Sequence, residues 1–214
     1  MSFKRSIAAG LILFLAVCGA ISSARAEPFK IVGFGDSLMA GFGLGPGEGF
    51  TDKLQAALRD RGHDVIVANA GVSGDTTSGG LARLDWSVPD GTRLVILELG
   101  ANDMLRGVSP DITRKNLDAM LAKLKGRKIA VLLAGMRAAP NLGADYQSAF
   151  DAIFPHLARK YDVKLYPFFL DGVAGQPGLQ LEDGMHPNAQ GIDRMVKRIL
   201  PTVEKAIAAV QGGL

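Results

Sequence analysis

At 214 residues, with 48% apolar and 21% charged content, the chain has the bulk of one globular domain with its own core, and neither a low-complexity nor a disulfide-rich composition. Its formal net charge of +3 comes from one end: Lys4, Arg5 and Arg25 lie in the first 26 residues, which hold no acid, and the remainder balances 21 basic against 21 acidic residues. That balance excludes the basic footprint of a nucleic-acid-binding protein, and a single cysteine, Cys18, excludes a disulfide framework.

Residues 1–26 read as a secretory signal peptide: a basic start, the fifteen-residue apolar run 7–21, and Ala24-Arg25-Ala26 as the cleavage site before Glu27. The run is shorter than the roughly 18 residues of a spanning helix. Val17, ahead of Cys18, is bulkier than the residue expected before a lipidated cysteine. The expected product is a single domain over residues 27–214, periplasmic or secreted, without a membrane anchor, monomeric, and without any thiol for catalysis or metal binding.

The first element is a strand through Ile31, Val32 and Phe34 that runs into Gly35-Asp36-Ser37-Leu38. Asp36 and Ser37 are also good helix caps, so this turn alone does not decide a function. A glycine-rich loop over 41–47 leads to a helix with Phe50, Leu54, Ala57 and Leu58 on one face, stopped by Arg61-Gly62. A second strand, Val65-Ile66-Val67-Ala68, ends in a loop of small residues that includes Ser73-Gly74-Asp75. After a short helical segment over 80–84, the nearly all-apolar strand 94–99 reads as covered on both faces and runs into Gly100-Ala101-Asn102-Asp103. An amphipathic helix over 112–124, a strand over 129–133, a loop over 138–143, and a helix over 146–161 interrupted at Pro155 follow. A weak fifth strand at Val163-Lys164-Leu165-Tyr166 and a loop over 171–180 lead to Asp183-Gly184-Met185-His186-Pro187, ahead of a last helix bent near Pro201. Five strands alternating with helices predict a parallel, three-layer α/β/α domain.

In such sheets ligands bind beyond the carboxyl ends of the strands, which gathers Ser37, Gly74, Asn102 and the Asp183/His186 pair at one rim. These residue types match acyl transfer, which needs a nucleophile, a base, a group that orients the base, and donors for an oxyanion. Of the three histidines, only His186 sits in a loop beside a carboxylate; His63 and His156 read as surface or packing residues. Asp183 and His186 could instead begin a metal site, but the third and fourth ligands are not evident.

Taken together, Gly35-Asp36-Ser37-Leu38, Gly74, Gly100-Ala101-Asn102-Asp103 and Asp183-Gly184-Met185-His186 resemble, in order and spacing, the four sequence blocks of the SGNH hydrolases, or GDSL esterases. The similarity covers nearly the whole chain after residue 26. It is nearest to the small bacterial periplasmic branch with thioesterase, arylesterase and lysophospholipase activities. The resemblance implies a flavodoxin-like three-layer sandwich on a five-stranded parallel sheet. It also implies Ser37 as nucleophile, His186 as base and Asp183 as its orienter. The Ser37 N–H, the Gly74 N–H and the Asn102 side chain would form the oxyanion hole, and no cofactor or metal is implied.

Dinucleotide binding fails at the third glycine of Gly33-Phe34-Gly35-Asp36-Ser37-Leu38, and Gly35-Asp36-Ser37-Leu38-Met39 is not the G-x-S-x-G of an α/β-hydrolase. A non-catalytic flavodoxin-like binding module shares the architecture, and a carbohydrate O-deacetylase shares the family. The lone Trp86 lies away from the rim loops, which favours acyl or aryl esters, among them thioesters and lysophospholipids, over sugars. Leu142, Val173, Leu179 and Leu181, apolar residues in loops, are expected to line the acyl groove.

Overall fold

Five parallel strands line up in the order β2-β1-β3-β4-β5: β1 (Phe29–Gly35), β2 (Val65–Gly71), β3 (Leu94–Glu98), β4 (Ala130–Ala134) and β5 (Lys164–Tyr166). The computed structural model describes residues 27–213, so the signal-peptide reading of residues 1–26 lies outside the described residues. Among the described residues no helix is long and apolar enough to cross a membrane.

Each strand is followed by at least one helix, as parallel pairing requires. In chain order these are α1 (Ser37–Ala40), α2 (Phe50–Asp60), α3 (Thr77–Ser87), α4 (Ala101–Leu105), α5 (Pro110–Gly126), α6 (Ala144–Asp151), α7 (Ile153–Tyr161) and α8 (Ala189–Gln211). Helices α2 and α8 pair on one face of the sheet, and α3, α5 and α7 cover the other. With both faces covered, Leu94, Val95, Ile96 and Leu97 of β3 and Leu132 and Leu133 of β4 are fully buried. The three-layer α/β/α sandwich expected from the alternation of elements is the observed fold.

Two details differ from the expected elements. The helix expected over 146–161 is two helices that meet at Ala152, three residues before Pro155. Pro155 therefore sits in the first turn of α7, where its missing N–H has no intrahelical partner to lose. The segment expected over 80–84 extends into an eleven-residue helix, α3, capped by the Thr76 hydroxyl, which accepts from Gly79 N–H at 3.4 Å. Helix α8 runs on through Pro201 without interruption.

The order of the strands sets the place of the site. From β1 the chain crosses to β2 on one side and then returns to β3 on the other, so the crossovers diverge between β1 and β3 and leave a crevice at their carboxyl ends. Ser37 follows β1 after one residue, Asp36, and Asn102 follows β3 after three.

A buried cation holds this end of the sheet together. Arg83 of α3 is 6% exposed and lies with its guanidinium carbon 4.0 Å from the centre of the Phe34 ring. Its nitrogens donate to Gly35 O at 2.8 Å, to Ala70 O at 2.8 Å and to the Asp75 carboxylate at 2.6 Å. One side chain thus fixes the end of β1, the end of β2 and the loop that carries Gly74. Removing it takes a donor from the Gly35 and Ala70 carbonyls and leaves the Asp75 carboxylate without its cation. Arg83→Ala is expected to lower stability by about 3 kcal/mol, the range for breaking a buried ion pair. Urea unfolding that shows a loss under about 1 kcal/mol, the value of an exposed pair, would mean that these loops hold themselves.

Candidate active site

The serine is placed by a helix cap. Asp36 ends the turn after β1 and caps α1, its Oδ1 accepting from Leu38 N–H at 3.0 Å. Ser37 is then the first residue of α1, where backbone N–H groups have no intrahelical acceptor. Gly35 allows the close approach that this turn needs. A Cβ there would lie 2.4 Å from Glu98 Oε2 and 2.7 Å from Glu98 O, so no other residue fits.

The histidine is placed by a hairpin-like loop. Leu181 N–H donates to His186 O at 2.7 Å, and Gln180 bridges to Pro187 in antiparallel fashion. Within the loop, Asp183 Oδ1 accepts from Met185 N–H at 2.9 Å and from His186 N–H at 3.0 Å, while Oδ2 lies 2.6 Å from His186 Nδ1. The two backbone donors and the imidazole hold this carboxyl down at about 2. An ionised carboxylate only accepts, so Nδ1 carries the proton and Nε2 is left as the acceptor. Nε2 lies 2.8 Å from Ser37 Oγ, across 149 residues of sequence. Both ring nitrogens are thus engaged, and among the described residues no group of three His, Cys, Asp or Glu is gathered for a metal ion. The Phe42 ring, 4.5 Å from the imidazole centroid, covers His186 from the glycine-rich loop.

Gly74 and Asn102 meet the serine at the crevice. Gly74 has a φ of 81°, a left-handed conformation that suits glycine. Arg106, the residue that caps the end of α4, donates to the Gly74 carbonyl at 2.7 Å and so ties this loop to α4. Asn102 Nδ2 donates to Asp36 Oδ2 at 3.0 Å, which fixes one amide hydrogen and leaves the other. Asp36 is fully buried, and burial pushes its carboxyl up to about 6. Asp103, beside Asn102, is structural: fully buried, it accepts from Thr77 N–H at 2.7 Å, from the Thr77 hydroxyl at 2.5 Å and from the Thr113 hydroxyl at 3.2 Å. It joins α4 to α3 and α5.

Ser37, Gly74, Asn102 and His186 all border one cavity of about 500 Å³ with mainly apolar walls. The apolar part of the wall includes Met104 and Leu105 of α4, Met136 after β4, and Phe168 and Leu170 after β5, and Arg137 and Gln180 add polar groups.

These placements bring together every residue expected at the chemistry, but they do not match the expected acyl groove. Val173 is fully buried in the core. Leu142 and Leu179 lie in 3₁₀ turns (Pro140–Leu142 and Pro177–Leu179) that fold them back onto the core. Leu181 packs over Gly43, its Cδ1 2.6 Å from where a Cβ would be. None of the four lines the cavity. Their loops do reach it, through Pro140, Ala174 and Gln180. The exposed Trp86 lies outside it, as expected.

Sequence reasoning passed over Arg83, Arg106 and Glu98. The signal for Glu98 was present: one carboxyl in an otherwise apolar buried strand is costly and asks for a reason.

Residues 34–194 match the GDSL-like Lipase/Acylhydrolase family. The chain belongs to this family. It is 39% identical over 182 residues to the esterase TesA of Pseudomonas aeruginosa, covering 85% of this chain and 90% of that protein. It is 37% identical over 186 residues to the thioesterase 1/protease 1/lysophospholipase L1 of Escherichia coli K12, covering 85% and 87%. Among solved structures, the SGNH-hydrolase family esterase AlinE4 is 51% identical, with a TM-score of 0.72 over 84% of this chain and 97% of that one.

Within this GDSL fold, Gly35→Ala is expected to cost about 1–3 kcal/mol, the range for overpacking a filled site. The clashing atoms include the Glu98 backbone oxygen of β3, which cannot rotate away. Urea denaturation with an unchanged midpoint would show that the turn relaxes freely.

Proposed function

We propose that the protein is a serine esterase that hydrolyses carboxylic esters of aryl or short to medium acyl type through an acyl-enzyme. The observation that carries this reading is the continuous chain Asp183 Oδ2 to His186 Nδ1 at 2.6 Å and His186 Nε2 to Ser37 Oγ at 2.8 Å, opening on an apolar cavity.

In this reading the imidazole takes the Ser37 proton as Oγ attacks the ester carbonyl. Asp183 keeps the imidazole in the tautomer that accepts at Nε2 and stabilises the imidazolium that forms. The oxyanion is met by the Ser37 N–H, the Gly74 N–H and the Asn102 amide. The imidazolium then protonates the leaving alcohol or thiol, and a water activated by the same base releases the acid. The family membership and the esterase relatives support this reading over a non-catalytic binding module. Cavity walls of methionine, leucine and phenylalanine support acyl or aryl substrates over sugars. Lysophospholipids and acyl thioesters fit the same chemistry. The basic and apolar zones of residues 1–26 support export and cleavage after Ala26, giving a periplasmic or secreted enzyme.

Three experiments test it. A fluorophosphonate should label Ser37 with loss of turnover, and labelling that persists in Ser37→Ala would sink the assignment. Asn102→Ala should lower kcat by about 10²–10³ with KM nearly unchanged, the usual loss of one oxyanion donor. Each buried methylene contributes up to about 0.8 kcal/mol. Leu170→Ser is therefore expected to depress kcat/KM on octanoate esters more than on acetate, whereas Leu142→Ser should affect both alike. Equal losses from Leu170→Ser would place the acyl chain elsewhere.

A further inference from the structure

We infer that Glu98 is a positioning residue for the reaction proposed above, on which the inference rests: its carboxyl backs Asp36, and Asp36 aims the Asn102 amide at the developing oxyanion.

Glu98 ends β3 and is fully buried among apolar neighbours. Its Oε2 accepts from Asp36 N–H at 3.3 Å, which sets the two carboxyls side by side at the end of β1 and β3. Its Oε1 has no partner among the described residues. Arg83 does not neutralise the pair, because it directs its nitrogens to Gly35 O, Ala70 O and Asp75. Two adjoining buried carboxyls without a counter-ion do not both ionise. Burial first, and the Asp36 charge second, push Glu98 well above the usual carboxylate range.

The hydrogen bonds say which of the two keeps the proton. Asp36 accepts from Leu38 N–H and Asn102 Nδ2, both at 3.0 Å, and both donors favour its charge. Glu98 receives a single long donor. The proton therefore stays on Glu98, and the charge sits on Asp36. A neutral Glu98 accepts from the Asp36 N–H without placing a second charge beside it, and the Asp36 carboxylate in turn fixes one Asn102 amide hydrogen. The second amide hydrogen is thereby set toward the crevice, where the carbonyl oxygen gains charge. An apolar residue at position 98 would be expected to pack at lower cost.

Steady-state kinetics on an aryl ester, with thermal unfolding, test this in the wild type, Glu98→Leu, Glu98→Gln, Asn102→Ala and the double variant Glu98→Leu/Asn102→Ala. Glu98→Leu should lower kcat about 10- to 100-fold with KM within about twofold, as for a transition-state donor displaced and not removed. Glu98→Gln should recover most of that loss, since its amide is neutral, has the same shape and keeps an acceptor for the Asp36 N–H. Adding Glu98→Leu to Asn102→Ala should cost no more than about threefold, because both act through one amide. A carboxyl whose pKa is raised on folding lowers stability as pH rises past its unfolded value, about 4.3. The Tm gain of Glu98→Gln over wild type should thus be larger at pH 7 than at pH 4.

Losses that multiply in the double variant, a Gln variant as impaired as Leu, or a Tm difference equal at both pH values would each overturn the inference. If Glu98→Leu does not fold, the Gln variant and its pH dependence still decide. A wild type without Ser37-dependent turnover would defeat the esterase reading instead, and the Tm comparison would still locate the proton.

Discussion

The Arg83 guanidinium is the constraint on which the site depends, because it is the point where three separately encoded loops are held in one frame. Its donors end on the carbonyl before the Asp36-Ser37 turn, on the carbonyl that closes β2, and on the carboxylate next to Gly74. A parallel sheet delivers loops to one edge but leaves their relative height to local contacts. Here a rigid, planar donor fork sets that height. Arg106 repeats the device on a smaller scale, binding the Gly74 carbonyl from the helix that carries Asn102.

Around that fork the protein treats its carboxyls in different ways. Asp75 is paired with a cation, Asp103 is wrapped in hydroxyl and N–H donors, and Asp183 is held ionised by backbone donors at the surface. Asp36 and Glu98 are fully buried and form no ion pair among the described residues, and they share a few N–H donors. Such unfavourable placements concentrate where a reaction needs fixed dipoles, and they lower stability in exchange for preorganisation.

Much of this was legible in the sequence because it was periodic or because it sat at strand ends. The apolar runs of β1, β3 and β4 read as covered strands, and the loops of Ser37 and Asn102 begin where β1 and β3 stop. The four leucine and valine loop residues misled because exposure was inferred from loop position. The 3₁₀ turns at Pro140–Leu142 and Pro177–Leu179, which depend on tertiary packing, turn Leu142 and Leu179 inward, while Val173 is buried in the core and Leu181 packs over Gly43. Arg83 was hidden for a related reason: a lone arginine in a helix reads as solvated until α3 is seen to lean over the end of β1. Pro155 marked an interruption correctly, but the break settled at Ala152, where the proline costs least.

The loop that carries Asp183 and His186 closes on itself within a few residues, and its internal hydrogen bonds do not involve the serine turn. Base and orienter therefore travel as a unit. If the loop swings away from the sheet, the imidazole keeps its polarising carboxylate and its tautomer, and only the distance to Ser37 changes. Proton transfer is then governed by a single coordinate, the docking of a prefabricated acid–base hairpin against the helix cap that presents the nucleophile.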